Sequence, residues 1–347
     1  MRALRFAATG GLLELVELPA PGCPPDGVVL DVVATGVCRS DWHAWKGHDP
    51  VALPHVPGHE FVGVVATIGP GVHQFRVGDR VTAPFVLACG ACETCAAGDA
   101  QVCPNQEQPG FTLPGSFADQ VALPRADANL VRVPDGVDLV AAASLGCRFA
   151  TAFRALTAHG MVQPGQWVAV HGCGGVGLSL VMIAVALGAR VIAVDVSESA
   201  LARALELGAT ATVNAATTQD TAAAVLGICG GGVHVGVDAL GRPATAVASV
   251  RSLRRRGRHV QVGLLLGEDA LTALPMDLVI SRELEIHGSH GMPAHEYPAL
   301  LEAVADGRLQ PELLVGQVVD LADAGGVLAA MDHSAGPGMT VIRVGTG

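Results

Sequence analysis

Between residues 167 and 187 the chain passes from an apolar run, Trp167–His171, through Gly172-Cys-Gly174-Gly-Val-Gly177 into a largely apolar stretch that ends at Leu187. An apolar strand that breaks into a glycine-rich turn and resumes at helical length predicts a strand–turn–helix unit. Gly172 permits the tight turn, Gly174 lets a pyrophosphate approach the backbone, and Gly177 lets helix and strand pack closely. The helix Val176–Leu187 then offers its N-terminal amides and the positive end of its dipole to an anion. Asp195 ends the next apolar run, Arg190–Val196, 18 residues past Gly177. A carboxylate there is placed for ribose hydroxyls. Gly172, Gly174, Gly175, Val176, Gly177 and Asp195 are therefore candidate dinucleotide contacts, the alternative being a purely structural turn. Residues 196–200 contain no Arg or Lys and include Glu198, which favours NAD over a cofactor with an added phosphate.

The surrounding texture fits this unit. Thr210–Asn214, His234–Asp238 and His259–Gly263 read as further buried strands, with a helix over Ser199–Leu207. Alternating strands and helices imply a doubly wound parallel sheet. Residues 1 to 135 are rich in Val, Pro and Gly, with short apolar runs at Gly27–Ala34, Gly63–Ile68 and Arg80–Ala83, and read as mostly antiparallel strands. The texture is mixed again after 289. The expected architecture is α/β: a mostly-β domain formed by 1–148 and 289–347, with a nucleotide-binding domain, 149–288, inserted between them. A chain of 347 residues is long enough for two cores. Arg251, Arg254, Arg255, Arg256 and Arg258 fall where a helix should end before a strand, and are read as a solvated helix end rather than a polyanion site.

Composition narrows the chemistry. The net charge of −11 argues against nucleic-acid binding. The single lysine, Lys46, follows no phosphate-binding loop, and the single tyrosine, Tyr297, has Leu301 four residues on, so P-loop and Tyr-x-x-x-Lys chemistry are both excluded. No basic start followed by an apolar run suggests a leader, and Val176–Leu187 is too short to span a bilayer. The expectation is a cytoplasmic enzyme with neither membrane nor nucleic-acid partners.

Four of the nine cysteines form the pattern Cys89-x2-Cys92-x2-Cys95-x7-Cys103. Four thiolates closing on one ion make a saturated structural zinc site. An iron–sulfur cluster and unliganded thiols are the alternatives, although the ferredoxin run places three residues, not seven, before its last cysteine. Three further segments carry reactive side chains: Gly36-Val-Cys38-Arg39-Ser40-Asp41-Trp42-His43, Pro57-Gly58-His59-Glu60 and Leu145-Gly146-Cys147-Arg148-Phe149-Ala150-Thr151. Each alone has a bland reading as buried thiol or surface polar group.

Taken together and in this order, these segments, the cysteine cluster and the nucleotide motif resemble the zinc-dependent alcohol dehydrogenase family of the medium-chain dehydrogenase/reductase superfamily. The resemblance runs along essentially the whole chain. It implies a GroES-like catalytic domain beside a Rossmann domain, and alcohol–carbonyl interconversion by hydride transfer to or from NAD(H). It implies that Cys38, His59 and Cys147 hold a catalytic zinc with one open position, and that Glu60 transiently approaches that metal. Asp41 would orient His59, and Ser40 and His43 would relay a proton to solvent. Arg39 and Arg343 would contact the cofactor pyrophosphate, Thr151 the nicotinamide, and Val262, Gly263 and Leu264 other parts of the cofactor. Cys89, Cys92, Cys95 and Cys103 would hold a second, structural zinc in a lobe at about 89–103. Ala200 departs from the family's frequent basic residue there. Compact relatives are commonly tetramers, so a homotetramer is expected, with a dimer as the alternative. Trp42, Trp45, Phe85, Phe111 and Leu264 are candidates either for an apolar substrate pocket or for ordinary core. Alternatives on the same scaffold are a polyol or threonine-type dehydrogenase, a zinc-free quinone or enoyl reductase, and a non-catalytic binding module. The intact ligand pattern argues against the last two.

Overall fold

The run Val168–Val170 is fully buried, and its β-branched and small residues fill the centre of a six-stranded sheet. In this computed structural model, which describes residues 1–332 and 338–345, Thr151–His290 form one unit and Met1–Ala150 with Gly291–Gly347 another. The six strands are all parallel. They lie in the order Ala211–Asn214, Arg190–Asp195, Trp167–His171, Val233–Asp238, Leu253–Gln261, Glu285–Gly288. Strand order reverses direction between Trp167–His171 and Val233–Asp238, and ligands of such sheets bind beyond the strand ends at that point. The helix Gly175–Ala186 follows at once and is buried along most of its length, which is why it lacks a polar face.

The arginine run is organised differently from expectation. The preceding helix ends at Arg251, and Leu253–Gln261 is already strand, so Arg254, Arg255, Arg256 and Arg258 lie in the sheet. A register shift opposite Val233 and Val235 interrupts the ladder there. These arginines find carboxylates on neighbouring segments, the exposed Arg256 with Glu283 and the half-buried Arg258 with Glu285. One of these pairs crosses to the adjacent strand and the other reaches the turn before it.

His171 closes its strand 1% exposed, and neither ring nitrogen has a hydrogen-bond partner among the described residues. Burial pulls it down to about 4, against the nearby Asp238 carboxylate and with help from His259. An unfolded chain takes up this proton at its ordinary value near 6.5, so the unfolded state binds more protons between about 6.5 and 4. Stability present above that window is lost as pH falls through it, by up to about 3 kcal/mol. Denaturant unfolding at pH 7 and pH 4 checks this: His171→Leu is expected to lose less stability over that interval than the wild type.

The other unit is built on a mixed sheet in the order Val315–Asp320, Met339–Arg343, Val28–Val37, Glu60–Ile68, Arg80–Thr82, Val131–Arg132, with Gln120–Leu123 also paired to Val28–Val37. One core cluster gathers Val28, Leu30, Phe61, Val65 and Leu123. A second gathers Phe6, Val37, Phe117, Leu328 and Ile342. Two of these strands position the chemistry. Val28–Val37 ends one residue before Cys38, and Glu60–Ile68 begins one residue after His59. Their antiparallel register sets Gly36 opposite Glu60 and so brings both loops to one end of the sheet. Among the described residues no single helix is long and apolar enough to cross a membrane.

Candidate metal centres

Cys38 caps the helix Arg39–Lys46, whose first turn carries Asp41. The Asp41 carboxylate is fully buried and accepts three hydrogen bonds: from the Cys38 amide (2.9 Å), the Gly58 amide (3.0 Å) and His59 Nδ1 (2.9 Å). One side chain thus ties the two loops together and fixes which His59 nitrogen carries the proton. His59 Nε2 is left buried with no hydrogen-bond partner among the described residues. It faces a set in which ligand atoms of Cys38, His59, Glu60 and Cys147 all lie within 4.8 Å of one another. A histidine with one nitrogen anchored on a carboxylate and the other aimed at two thiols fits a zinc ion.

The electrostatics agree. Contact with Cys147 draws the Cys38 thiol well below its ordinary value, despite burial, while contact with Cys38 holds the Cys147 thiol well above it. Burial opposes charge on His59, but Asp41 and Cys38 outweigh it and hold the ring above its usual range. Two adjacent thiols, one buried and one half-buried, do not readily both ionise without a cation between them, and a divalent ion removes that conflict.

The second cluster is formed by Cys89, Cys92, Cys95 and Cys103, whose sulfurs also lie within 4.8 Å of one another. The Sγ–Sγ separations are 3.5 Å for Cys92–Cys95, 3.8 Å for Cys92–Cys103 and 3.9 Å for Cys89–Cys95. Tetrahedral zinc with Zn–S near ~2.3 Å requires sulfur edges of about 3.8 Å. None of these cysteines is in a disulfide. The Ala91 and Cys92 amides pull Cys89 down to about 6, whereas burial and Cys92 push Cys95 up to about 12. Thiols so unevenly matched share charge only around a cation.

The remaining site candidates are placed as follows. Ser40 Oγ is 3.9 Å from Cys38 Sγ. His43 Nδ1 lies 3.1 Å from His48 Nδ1, and burial, followed by His48 and Arg39, lowers the His43 pKa. Arg39 donates to the Met331 carbonyl (2.8 Å) and stacks on Trp42. Arg343 ends its strand exposed. Phe85 and Phe111 stand with ring centroids 6.3 and 5.2 Å from His59. Trp45, by contrast, is 5% exposed within the second core cluster, and Trp42 packs against that cluster. Both indoles are tied down by hydrogen bonds, Trp45 to the Gly11 carbonyl and Trp42 to Asp332, so the core reading applies to Trp45.

In the Thr151–His290 unit, Gly172 has φ 94°, and a Cβ on Gly177 would overlap the Gly172 carbonyl. A Cβ on Gly174 would meet nothing within 4 Å, so the face above the turn is open to a ligand. Gly174 caps the helix Gly175–Ala186 without a side-chain bond, leaving first-turn amides of Gly175, Val176 and Gly177 for an anion. Asp195 accepts from the Cys173 amide (2.6 Å) and the Ser197 amide (2.9 Å), which hold it beside the turn. The Val262 and Gly263 amides both bond the Asp238 carbonyl, Leu264 is 54% exposed, and Thr151 is buried in the helix Arg148–Arg154.

Two residues at the first centre carried no role in the sequence. Arg148 bonds Glu60 through its amide and guanidinium. Tyr297 is fully buried, and its hydroxyl donates to the Leu145 and Gly146 carbonyls (3.1 and 3.3 Å), bracing the turn before Cys147. Their partners lie 88 and about 150 residues away. Only the adjacency of Arg148 to Cys147 hinted at either.

Comparison with known proteins agrees with this geometry. Residues 24–135 match the model of the alcohol dehydrogenase GroES-like domain, and residues 175–306 that of the zinc-binding dehydrogenase. An alcohol dehydrogenase of Geobacillus stearothermophilus is 35% identical over 302 residues, covering 86% of this chain and 87% of that protein. The structure of alcohol dehydrogenase TADH from Thermus sp. ATN1 superimposes with a TM-score of 0.91 at 30% identity, over 99% of this chain and 100% of that one. A solved NAD-dependent alcohol dehydrogenase gives 0.90 at 34% identity, over 99% and 100%. On matching domain models, sequence identity and fold, the chain belongs to the zinc-dependent alcohol dehydrogenases of the medium-chain dehydrogenase/reductase superfamily.

Proposed function

We propose that this chain interconverts an alcohol and its aldehyde or ketone with NAD(H), using one zinc held by Cys38, His59 and Cys147 and a second held by Cys89, Cys92, Cys95 and Cys103. The observation that carries the reading is the buried, partnerless His59 Nε2 facing two thiols while Asp41 holds the other ring nitrogen. Three protein ligands leave a fourth position for substrate, whereas four cysteines leave none. Zinc held at the first centre supplies Lewis acidity that makes an alcohol hydroxyl acidic near neutral pH. The nicotinamide supplies the hydride acceptor.

The chain's own residues do the rest. Asp41 keeps His59 in one tautomer and raises its basicity as a ligand. Ser40 accepts the hydroxyl proton and His43 passes it on, with the exposed His48 beside it just past the end of the helix Arg39–Lys46. Phe85 and Phe111 keep the surroundings of His59 apolar, which favours apolar over charged alcohols. Gly172, Gly174 and the amides after them receive the pyrophosphate, with Arg39 and Arg343 as further contacts. Asp195 receives the adenosine ribose, Thr151 the nicotinamide, and Val262, Gly263 and Leu264 other parts of the cofactor. A homotetramer in the cytoplasm is part of the same proposal. Light scattering after size exclusion checks the assembly. The activity is tested by following the near-ultraviolet absorbance of NADH with NAD and a panel of aliphatic, aromatic and polyhydric alcohols. Turnover with none of them contradicts the proposal.

Cofactor choice gives a sharper test. Asp195 loses a charged hydrogen bond if the ribose 2′-hydroxyl becomes a phosphate, a loss of roughly 1.5–3 kcal/mol. That corresponds to about 10–150-fold in favour of NAD before repulsion is counted. In kcat/KM measurements with both cofactors, Asp195→Gly is expected to shift the NAD/NADP ratio toward NADP by that order. Equal use of both by the wild type would show that Asp195 does not read the ribose.

A further inference from the structure

Glu60 sits between a guanidinium and the proposed metal position. It is fully buried, adjacent in sequence to His59, and one of its oxygens belongs to the group of atoms that surround the proposed catalytic zinc position. Both oxygens are nevertheless turned to Arg148. The Arg148 amide (2.8 Å) and Nε (2.9 Å) donate to Oε1, and a terminal guanidinium nitrogen donates to Oε2. The guanidinium side chain is itself 8% exposed. The slot for this pair is shaped by the strand opposite: a Cβ at Gly36 would collide with Glu60 Oε2 and come within 2.8 Å of the Arg148 guanidinium. A planar fork that satisfies both carboxylate oxygens is a contact lysine cannot reproduce.

We propose that Arg148 is a positioning residue that clamps Glu60 away from the metal, keeping the fourth zinc position open for substrate. This rests on the reading of Cys38, His59 and Cys147 as zinc ligands. Its physical basis is that a buried carboxylate stripped of its partner is strongly destabilised and turns to the nearest cation. With Arg148 gone, that cation is the metal, and Glu60 becomes an internal competitor for the substrate position.

The test uses holoenzyme whose catalytic site carries cobalt(II) and whose four-cysteine site keeps zinc. Imidazole serves as a one-atom probe of the open position, followed by the visible cobalt bands. Wild type is expected to bind imidazole with a clear spectral shift. Arg148→Met is expected to show altered bands before imidazole is added, and imidazole binding weakened by about 10-fold or more. The double variant Arg148→Met with Glu60→Gln is expected to recover imidazole binding to within about 3-fold of wild type. A merely structural role for Arg148 predicts no such rescue, and unchanged imidazole binding in Arg148→Met overturns the clamp. If Arg148→Met does not fold, Glu60→Gln alone decides: unchanged imidazole binding supports the clamp, and tightening by about 10-fold or more shows that Glu60 already competes for the metal and overturns it. Wild type that takes up no cobalt dependent on Cys38 refutes the zinc centre, and the clamp falls with it.

Discussion

Cys38→Ala is expected to lower kcat/KM for alcohol oxidation by about 10³–10⁴-fold, the equivalent of the several kcal/mol a Lewis-acid metal supplies. Its fold is expected to persist. The substitution removes a sulfur, but the bond that organises this loop comes from the Cys38 backbone amide to Asp41, and alanine retains that donor. Asp41 therefore continues to hold the Gly58 amide and His59 Nδ1, and the strands on either side keep their register. What is lost is one of two thiolates in a three-ligand set, and with it tight zinc binding. Steady-state kinetics alongside far-ultraviolet circular dichroism separates the two effects. Retained activity at more than about one tenth of wild type would remove Cys38 from the metal centre.

Cys92→Ala is expected to act on stability instead. The lobe at 89–103 has only the short helical turns Glu93–Ala96 and Ala100–Val102, and Gln101 and Cys103 are its only buried residues. It has no apolar core of its own, so the binding energy of the proposed zinc would be its folding energy. Losing one thiolate is expected to cost several kcal/mol of local stability, about 10²–10³-fold in local opening. Hydrogen exchange should show faster amide exchange across 89–103, while the parallel sheet of Thr151–His290 keeps its protection. Unchanged exchange in the lobe would mean that its fold does not depend on a metal.

The parts of this molecule that the sequence announces are local. Gly172, Gly174 and Gly177 sit within six residues, and what each does is decided in that turn: Gly172 takes a positive φ, Gly177 avoids the Gly172 carbonyl, and Gly174 leaves the face above open. The lobe cysteines are likewise close in sequence, so spacing alone implies that they converge. Pairings across the chain were not legible. Nothing near Arg148 indicates that it bonds Glu60, 88 residues earlier, because the contact exists only once the register of Val28–Val37 against Glu60–Ile68 is set. Tyr297 bracing Gly146 is of the same kind. The arginine run was misplaced for a different reason. Charge suggested a helix end, but only Arg251 ends the helix, and carboxylates on the next strand (Glu285) and the turn before it (Glu283) pair with Arg258 and Arg256. Trp45 looked like pocket lining because aromatic residues line both pockets and cores, and only packing distinguishes them.

Zinc per chain, measured by elemental analysis in wild type, Cys38→Ala and Cys92→Ala, tests the account most directly. Two separate centres predict about two zinc ions in the wild type and about one in each variant, with alcohol-dependent NADH formation abolished only where the Cys38 ion is lost. One zinc in all three proteins, or iron in place of zinc, would contradict it.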